Sequence, residues 1–580
     1  MENKTLIRVK KMLKPHMKAI FIVSFLSLLV SLGEIINPYL IKIVIDEYLS
    51  KNLYTNGIIT VSMIGAIYIG IVLLENIIDL IARMATSIIG EDVIYDLRNK
   101  LFKYTQYANI PFHDRTPAGK LFVRITNDVE DISTLFKEVV TTVIKDIILI
   151  IGIIVIMLIF SIKLSLLTFT VIPFVVFFTG IMTILLNKIY DKSKIIRTNL
   201  NTFLAESIYG AKIIKIFNIQ SEKRAECEKY TRDFRNTRFQ EGIIQSLLPS
   251  IMTILENVAV TIIVLVCTYK IYGITLEVGL AYVFITYIKQ LFEPITRIVE
   301  NIEVVEEAVV SINKVYDILE EREYLENLEN GIELNRIEGR IEFKNVWFSY
   351  DNENWVLEDV SFVVEPGESV ALVGKTGSGK TTITNLINRF YEIQKGEILI
   401  DGINIKDINI RSLRSHIGII LQDPFIFAES IKDNIRLNKS ILDEDIYSAI
   451  QLASANEFVD SLPNGIEEIS NERGNSYSAG QKQLLAFARI FAHNPDIFVL
   501  DEATANIDTY TEGLIQKSID RLSKEKTAIF IAHRLSTIVN VDKIIVLSKG
   551  KIIEEGNHTE LLNRGGYYSK LYNSYYESLG

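Results

Sequence analysis

Cysteine is nearly absent from this chain: two residues in 580, Cys227 and Cys267. A disulfide framework or a cysteine-built metal cluster needs more thiols at closer spacing, so the two read as ordinary fillers. A basic excess is missing as well. Lys and Arg number 61 against 71 Asp and Glu, for a net charge of −10. A nucleic-acid binder turns a basic face to phosphates, and this balance argues against one. Charge of either sign is scarce across residues 139–187, which hold only Lys145, Asp146 and Lys163. No small-residue cleavage site follows the basic start MENKTLIRVKKMLKPHMK, which argues against a removed signal peptide.

What is plentiful is apolar. Hydrophobic residues make up 49% of the chain, and mean hydropathy is +0.25. A water-soluble protein of this length rarely reaches a positive mean, so membrane segments are expected. A bilayer core takes about 20 apolar residues in helix. Six segments meet or approach that: about 19–41, 56–82, 139–162, 164–187, 247–272 and 277–300. Lys and Arg number six in 1–18, seven in 83–136 and twelve in 188–246, against one or two in each remaining link. The positive-inside rule then puts both termini and two long loops in the cytoplasm, where Cys227 stays reduced. Residues 1–18 are expected to form an interfacial helix with Leu6, Ile7, Val9 and Leu13 towards lipid. Helical periodicity at 91–110 and 192–240 implies that the membrane helices continue far past the bilayer.

Eight of the charges inside these spans are Glu34, Glu75, Asp79, Lys145, Asp146, Glu256, Lys289 and Glu293. Such charges are costly in lipid and face a cavity or a partner. One reading is a polar pathway for cationic or amphipathic cargo. Another is local: Lys145 and Asp146 snorkel, and Lys289 pairs with Glu293 four residues on. Proton coupling is a third.

Residues 320–338 form an acidic link, and an α/β domain of alternating short strands and helices follows from Gly339. Its clearest motif is Gly374-Lys375-Thr376-Gly377-Ser378-Gly379-Lys380-Thr381, between the strand-like SVALV and the helical TTITNLINRF that Thr382 continues. A Gly-x-x-x-x-Gly-Lys-Thr loop in that context cradles phosphates with backbone N–H groups and a helix N-terminus. Lys380 reaches the β- and γ-phosphates, and Thr381 offers a hydroxyl to Mg²⁺. A second strand-like run, DIFVLDE, ends in Asp501 and Glu502. Asp501 is placed for the Mg²⁺ shell and Glu502 to polarise an attacking water.

Between these lies NERGNSYSAGQKQLLAFAR, residues 471–489, which resembles the signature segment of ATP-binding cassette (ABC) proteins. That family usually reads Leu-Ser-Gly-Gly-Gln; here Tyr477, Ser478, Ala479, Gly480 and Gln481 stand in its place. Other elements follow in the family's order. Tyr350 in VWFSY resembles the aromatic that stacks on adenine, and Gln422 in LQDPF the switch-loop glutamine that contacts Mg²⁺. Asp508 in TANID resembles the loop that crosses between paired cassettes, and His533 in IAHRLST the γ-phosphate histidine. Residues 112–132 and 204–217 are similar to the two coupling loops of the family's exporters.

The resemblance spans essentially the whole chain and implies a multidomain membrane protein. Its fold would be an all-α six-helix transmembrane domain of ABC exporter type joined to an α/β P-loop NTPase cassette. The segments are an interfacial helix at 1–18, the membrane domain at 19–319, the linker at 320–338 and the cassette at 339–580. It implies ATP and Mg²⁺ as ligands, hydrolysis coupled to transport, and a second half-transporter, because ATP sits between one cassette's phosphate loop and the other's signature. Ser478, Gly480 and Gln481 would face the partner's ATP. The altered signature beside an intact Glu502 tilts the pairing towards a heterodimer over a homodimer. The cell membrane is the expected location, with lipid around the helices and a small amphipathic molecule as cargo. A lipid flippase or peptide exporter of the same architecture is the alternative, and a soluble ABC ATPase conflicts with the six spans. About 18 residues ahead of the first span leave no room for a leader-cleaving peptidase domain.

Overall fold

The computed structural model describes residues 2–49, 58–269, 277–321, 330–437, 439–501, 507–524, 526–531 and 539–577. Among these, five helical stretches are long and apolar enough to cross a bilayer: Lys4–Glu47, Val61–Tyr107, Ala118–Phe160, Ile162–Tyr209 and Gln220–Tyr269. The sixth expected span is the helix Val278–Glu300, which carries Lys289, Glu293 and Arg297 and is not among the five. Helices Ile58–Tyr107 and Gln220–Tyr269 each run 50 residues. At 1.5 Å per residue that is about 75 Å, more than twice a hydrocarbon core, so both continue well beyond the lipid. The link near 161 is a capped break. Ser161 is extended, its side chain accepts from the Leu164 N–H, and a new helix starts at Ile162.

The chain divides into two compact units. The first takes residues 1–106 and 116–322. In its core the helix Thr141–Phe160 packs on Met17–Ile43. Gly152 permits that approach, since a Cβ there would sit 2.5 Å from Ile35 Cδ1. The buried Tyr287 hydroxyl donates to the Ile35 carbonyl at 2.6 Å, tying in the helix Val278–Glu300. Asp46, just past the C-terminal end of Met17–Ile43, accepts from the Gly279 N–H at 2.7 Å at the start of Val278–Glu300.

Two local expectations change. The N-terminal helix Glu2–Leu13 exposes Leu6 and Ile7 but half-buries Val9 and Leu13. It turns inward because Arg8, only 3% exposed, pairs with Asp317 at 2.7 Å and Glu320 at 2.6 Å. Lys289 does not pair with Glu293. It lies 4.0 Å from Glu256, and Glu293 pairs with Arg297 instead. An acid four residues ahead of a cation is the better helical order, which favours Glu293 with Arg297 over Lys289 with Glu293.

The second unit takes residues 107–115 and 323–580. In it the Tyr391 hydroxyl donates to Asp114 of the first long loop. Strands β1 (Ile341–Phe348), β2 (Leu357–Val364), β4 (Lys395–Ile400) and β5 (Ile403–Asn404) form an antiparallel sheet in the order β2-β1-β4-β5. Strands β3 (Ser369–Val373), β6 (Ile417–Ile420), β7 (Ile497–Asp501), β8 (Thr527–Ile531), β9 (Lys543–Ser548) and β10 (Lys551–Gly556) form the second, in the order β10-β9-β3-β8-β7-β6. Its strands β9, β3, β8, β7 and β6 run parallel. They read as continuous apolar runs because both faces are covered. One core, including Phe343, Val360 and Ile529, fills the space between the sheets. Another, including Phe487, Phe498 and Ile515, lies under the helices on the opposite side. The chain ahead of Gly339 already belongs to this unit. Ile332 N–H donates to the Asp407 carbonyl at 2.7 Å, and Leu334 N–H to Ser412 Oγ at 2.8 Å.

Candidate functional site

Parallel strands deliver their following residues to one edge of the sheet, and ligands of α/β domains bind there. β3 leads directly into the loop 374–379 and the helix Lys380–Ile387. β7 ends on Asp501, and Leu500 pairs with Ile420 at the end of β6, so Asp501 and the Leu421–Gln422 segment leave neighbouring strands together. β8 ends at Ile531 opposite Asp501. His533 follows two residues after Ile531 in the chain, and His533 and Glu502 lie outside the described residues.

The 374–379 loop needs its glycines. Gly377 and Gly379 have φ of +79° and +105°. A Cβ on Gly374 would lie 2.3 Å from the Leu547 carbonyl oxygen, so the loop is pressed against β9. Lys380 is 5% exposed, and its ammonium donates to the carbonyls of Gly374 at 2.7 Å and Lys375 at 3.1 Å. The cation thus curls back over its own loop. Ser378 Oγ is buried with no hydrogen-bond partner among the described residues. Thr381 is exposed on the first turn of the helix, beside the buried Thr382. A glycine-rich loop with its backbone N–H groups, an ammonium and hydroxyls suits a triphosphate, and hydroxyl, amide and carboxylate oxygens from Thr381, Gln422 and Asp501 suit a hard cation such as Mg²⁺.

Tyr350 stands next to this loop. Its hydroxyl lies 3.1 Å from Thr382 Oγ1, and its ring meets Phe348 and Tyr391 edge-on with centroids 4.8 and 4.9 Å away. It remains 45% exposed, enough to offer a ring face to a flat base. The neighbouring Asp351 folds the turn. N–H groups of Asn354 and Glu353 hold its carboxyl well below the usual range.

The signature segment opens the helix Ala479–His493. Ser478 caps it: Ser478 Oγ accepts from the Gln481 N–H at 3.2 Å, and the Gln481 amide oxygen accepts from the Ser478 N–H at 2.8 Å. Gly480 is buried, and a Cβ there would lie 2.4 Å from Thr511 Cγ2. Ala479 is exposed. The unusual Tyr477 is a core residue that packs edge-on against Phe458 and lies 3.2 Å from Ser470 through its hydroxyl. Asp508 caps the helix Thr509–Ser523 by accepting from the Thr511 N–H at 2.9 Å, which also lowers its carboxyl pKa.

Two residues that the motif reading passed over hold the exposed Gln422 loop. Gln483 donates to the carbonyls of Leu421 and Gln422 at 3.3 and 3.0 Å. Arg489 donates to the Phe425 carbonyl at 2.7 Å and the Asn434 carbonyl at 2.6 Å, and burial pushes its guanidinium down to about 10. Both lie in the signature run, so the signature helix and the switch loop form one hydrogen-bonded piece. The helical spacing in QKQLLAFAR was the available signal.

The two units have recognised counterparts. Residues 20–295 match the family described as ABC transporter transmembrane region, and 357–505 match ABC transporter. The putative ABC transporter ATP-binding protein exp8 of Streptococcus pneumoniae is 34% identical over 97% of both chains. The chain belongs to the ABC transporter family. The exporter is 38% identical, over 83% of its own length and 72% of the other, to a probable multidrug resistance ABC transporter ATP-binding/permease protein, YheH of Bacillus subtilis. A solved bacterial Atm1-family ABC exporter with ATP bound superposes with a TM-score of 0.80 at 26% identity, covering 97% of this chain and 98% of that one. This exporter is therefore a membrane protein whose cassette binds ATP and drives transport, and half-transporters of its kind generally dimerise.

The first unit of the exporter holds a cavity of about 700 Å³, which Glu34, Asp79, Lys145, Asp146 and Glu293 all line. Five of the eight expected intramembrane charges thus meet around one space. Glu75 lies outside that lining, accepting from the Asn37 amide at 2.9 Å, and Glu256 and Lys289 face each other.

Proposed function

We propose that this chain is the catalytically equipped half of a two-chain exporter that moves small amphipathic molecules outward, with the cassette and both termini in the cytoplasm. The observation that carries the reading is the shared sheet edge. One strand end, β3, supplies the phosphate loop; the ends of β7 and β6, which pair with each other beyond β8, supply Asp501 and Gln422, and a capped signature helix grips the Gln422 loop.

ATP would lie with adenine on Tyr350 and its phosphates over residues 374–382. Lys380 then turns from its own loop's carbonyls to the β- and γ-phosphates. Thr381, Gln422 and Asp501 supply the oxygens that would hold Mg²⁺, which neutralises charge between those phosphates when bound. Glu502 orients the attacking water, and His533 reaches the γ-phosphate. Ser478, Gly480 and Gln481 address the other chain's ATP, with Asp508 nearby. Two bound triphosphates draw the cassettes together; hydrolysis removes the bridging contacts and releases them.

The second chain is a different half-transporter. Tyr477 is explained by core packing, but Ala479 puts a methyl group on the exposed first turn beside Ser478, where a glycine would allow the partner's triphosphate closer.

Glu502→Gln tests the assignment of the base. The variant should bind ATP as the parent does, lose roughly 10²–10⁴-fold in turnover, and accumulate with cassettes closed. ATPase assays with cross-linking of paired cassettes check it. Near-normal turnover contradicts the role given to Glu502.

A further inference from the structure

The cavity in the membrane unit is lined mostly by polar residues, with Ala82 and Leu149 as the apolar ones. A pathway for purely apolar cargo would be expected to show the reverse. Its charges are also organised. Lys145 bridges two helices, 2.9 Å from Glu34 and 3.6 Å from Asp79. Arg83 binds the other oxygen of Asp79 at 2.6 Å. Arg297 forms a two-point pair with Asp146, at 2.6 and 3.2 Å.

These pairs differ in what they can release. Asp146 is fully buried, so its pair with Arg297 is a fixed strut. Lys145, Glu34 and Asp79 each retain between 20 and 25% side-chain exposure, so a ligand can reach them from the cavity. A purely cationic ligand at Glu34 and Asp79 would displace Lys145 and leave its part-buried ammonium without those two carboxylates. A purely anionic ligand at Lys145 would strand the carboxylates. Leaving one partner of such a pair unmatched costs more than the pair gains. A ligand with both charges satisfies both sides of the opened pair.

Resting on the exporter reading above, we propose that this cavity recognises a zwitterion: an amphipath whose head carries an ammonium beside an anionic group. The ammonium takes Glu34 and Asp79, and the anion takes Lys145 with Arg83. Such a head belongs equally to a free amphipath or to a membrane lipid, and the chemistry of recognition is shared.

The test uses the purified transporter in proteoliposomes and ATPase stimulation by amphipaths of one chain length: dodecyl betaine, dodecyltrimethylammonium and a neutral dodecyl glycol. Flipping of a fluorescent phosphatidylethanolamine forms a separate arm. The betaine should act at about tenfold lower concentration than the cation, and Lys145→Gln should reverse that order by a similar factor. The exchanged pair Glu34→Lys with Lys145→Glu keeps both charges and should retain the betaine response, which guards against a simple folding defect. Stimulation by betaine alone identifies a free amphipath as cargo; flipping alone identifies a lipid. Equal stimulation by the neutral compound, unchanged in Lys145→Gln, overturns the zwitterion while leaving the exporter intact. Transport that continues in Glu502→Gln defeats the exporter reading itself.

Discussion

Lys380→Ala should abolish useful ATP turnover, lowering it by about 10²–10³-fold and weakening nucleotide binding with it. The side chain is 5% exposed and its ammonium is already held by two carbonyls of its own loop. Before nucleotide arrives, the cation keeps the loop 374–379 closed on itself. Once phosphates occupy the loop, it is the nearest buried positive charge to them. Removing it withdraws both the loop's internal tie and the charge that offsets the triphosphate. Arginine is no substitute, because a planar fork does not fit a pocket built around a point charge. Equilibrium binding of a fluorescent ATP analogue and steady-state ATPase measure the two losses separately. Binding and turnover near the parent's would refute the role.

Arg297→Ala should be the most destabilising single change in the membrane unit. It removes both bonds to Asp146, a carboxylate that is 0% exposed. Breaking such a pair costs about 3–5 kcal/mol because the remaining charge stays buried. Part-exposure of Arg297 places the expected value towards the lower end of that range. The loss should appear as a lower melting temperature in detergent and poor accumulation in membranes. Asp146→Asn in the same chain should recover part of it, since a neutral amide is far cheaper to leave among helices. An unchanged melting curve for Arg297→Ala would show that Asp146 is stabilised by something else.

The residues that sequence made legible are those whose chemistry depends on local order. The phosphate loop needs strand, glycines, lysine and helix in succession, and SVALV-GKTGSGK-TTITNL displays them in a row. Membrane helices are legible for a similar reason, because a continuous apolar run is itself the requirement. What sequence concealed depends on contacts between distant segments. Arg8 could be counted as a basic residue of an interfacial helix, yet its burial against Asp317 and Glu320 is set by a helix about 300 residues away. Tyr477 read as a departure from the family's signature, and only its packing on Phe458 and Ser470 shows it as a core residue. Gln483 and Arg489 donate to the switch loop about 60 residues earlier, a pairing with no local mark. The intramembrane charges fall between these cases. Their presence was plain, but whether they paired or lined a cavity needed the helices in place; Lys145 and Asp146 do both.

The measurement closest to the centre of this account is ATPase activity per particle in nanodiscs sorted by how many transporter chains they hold. Discs with one chain should bind ATP through residues 374–382 and hydrolyse almost none, because no second signature segment completes the site. Discs with two chains, whichever half supplies the second, should carry essentially all of the turnover. Full-rate hydrolysis in one-chain discs would contradict it.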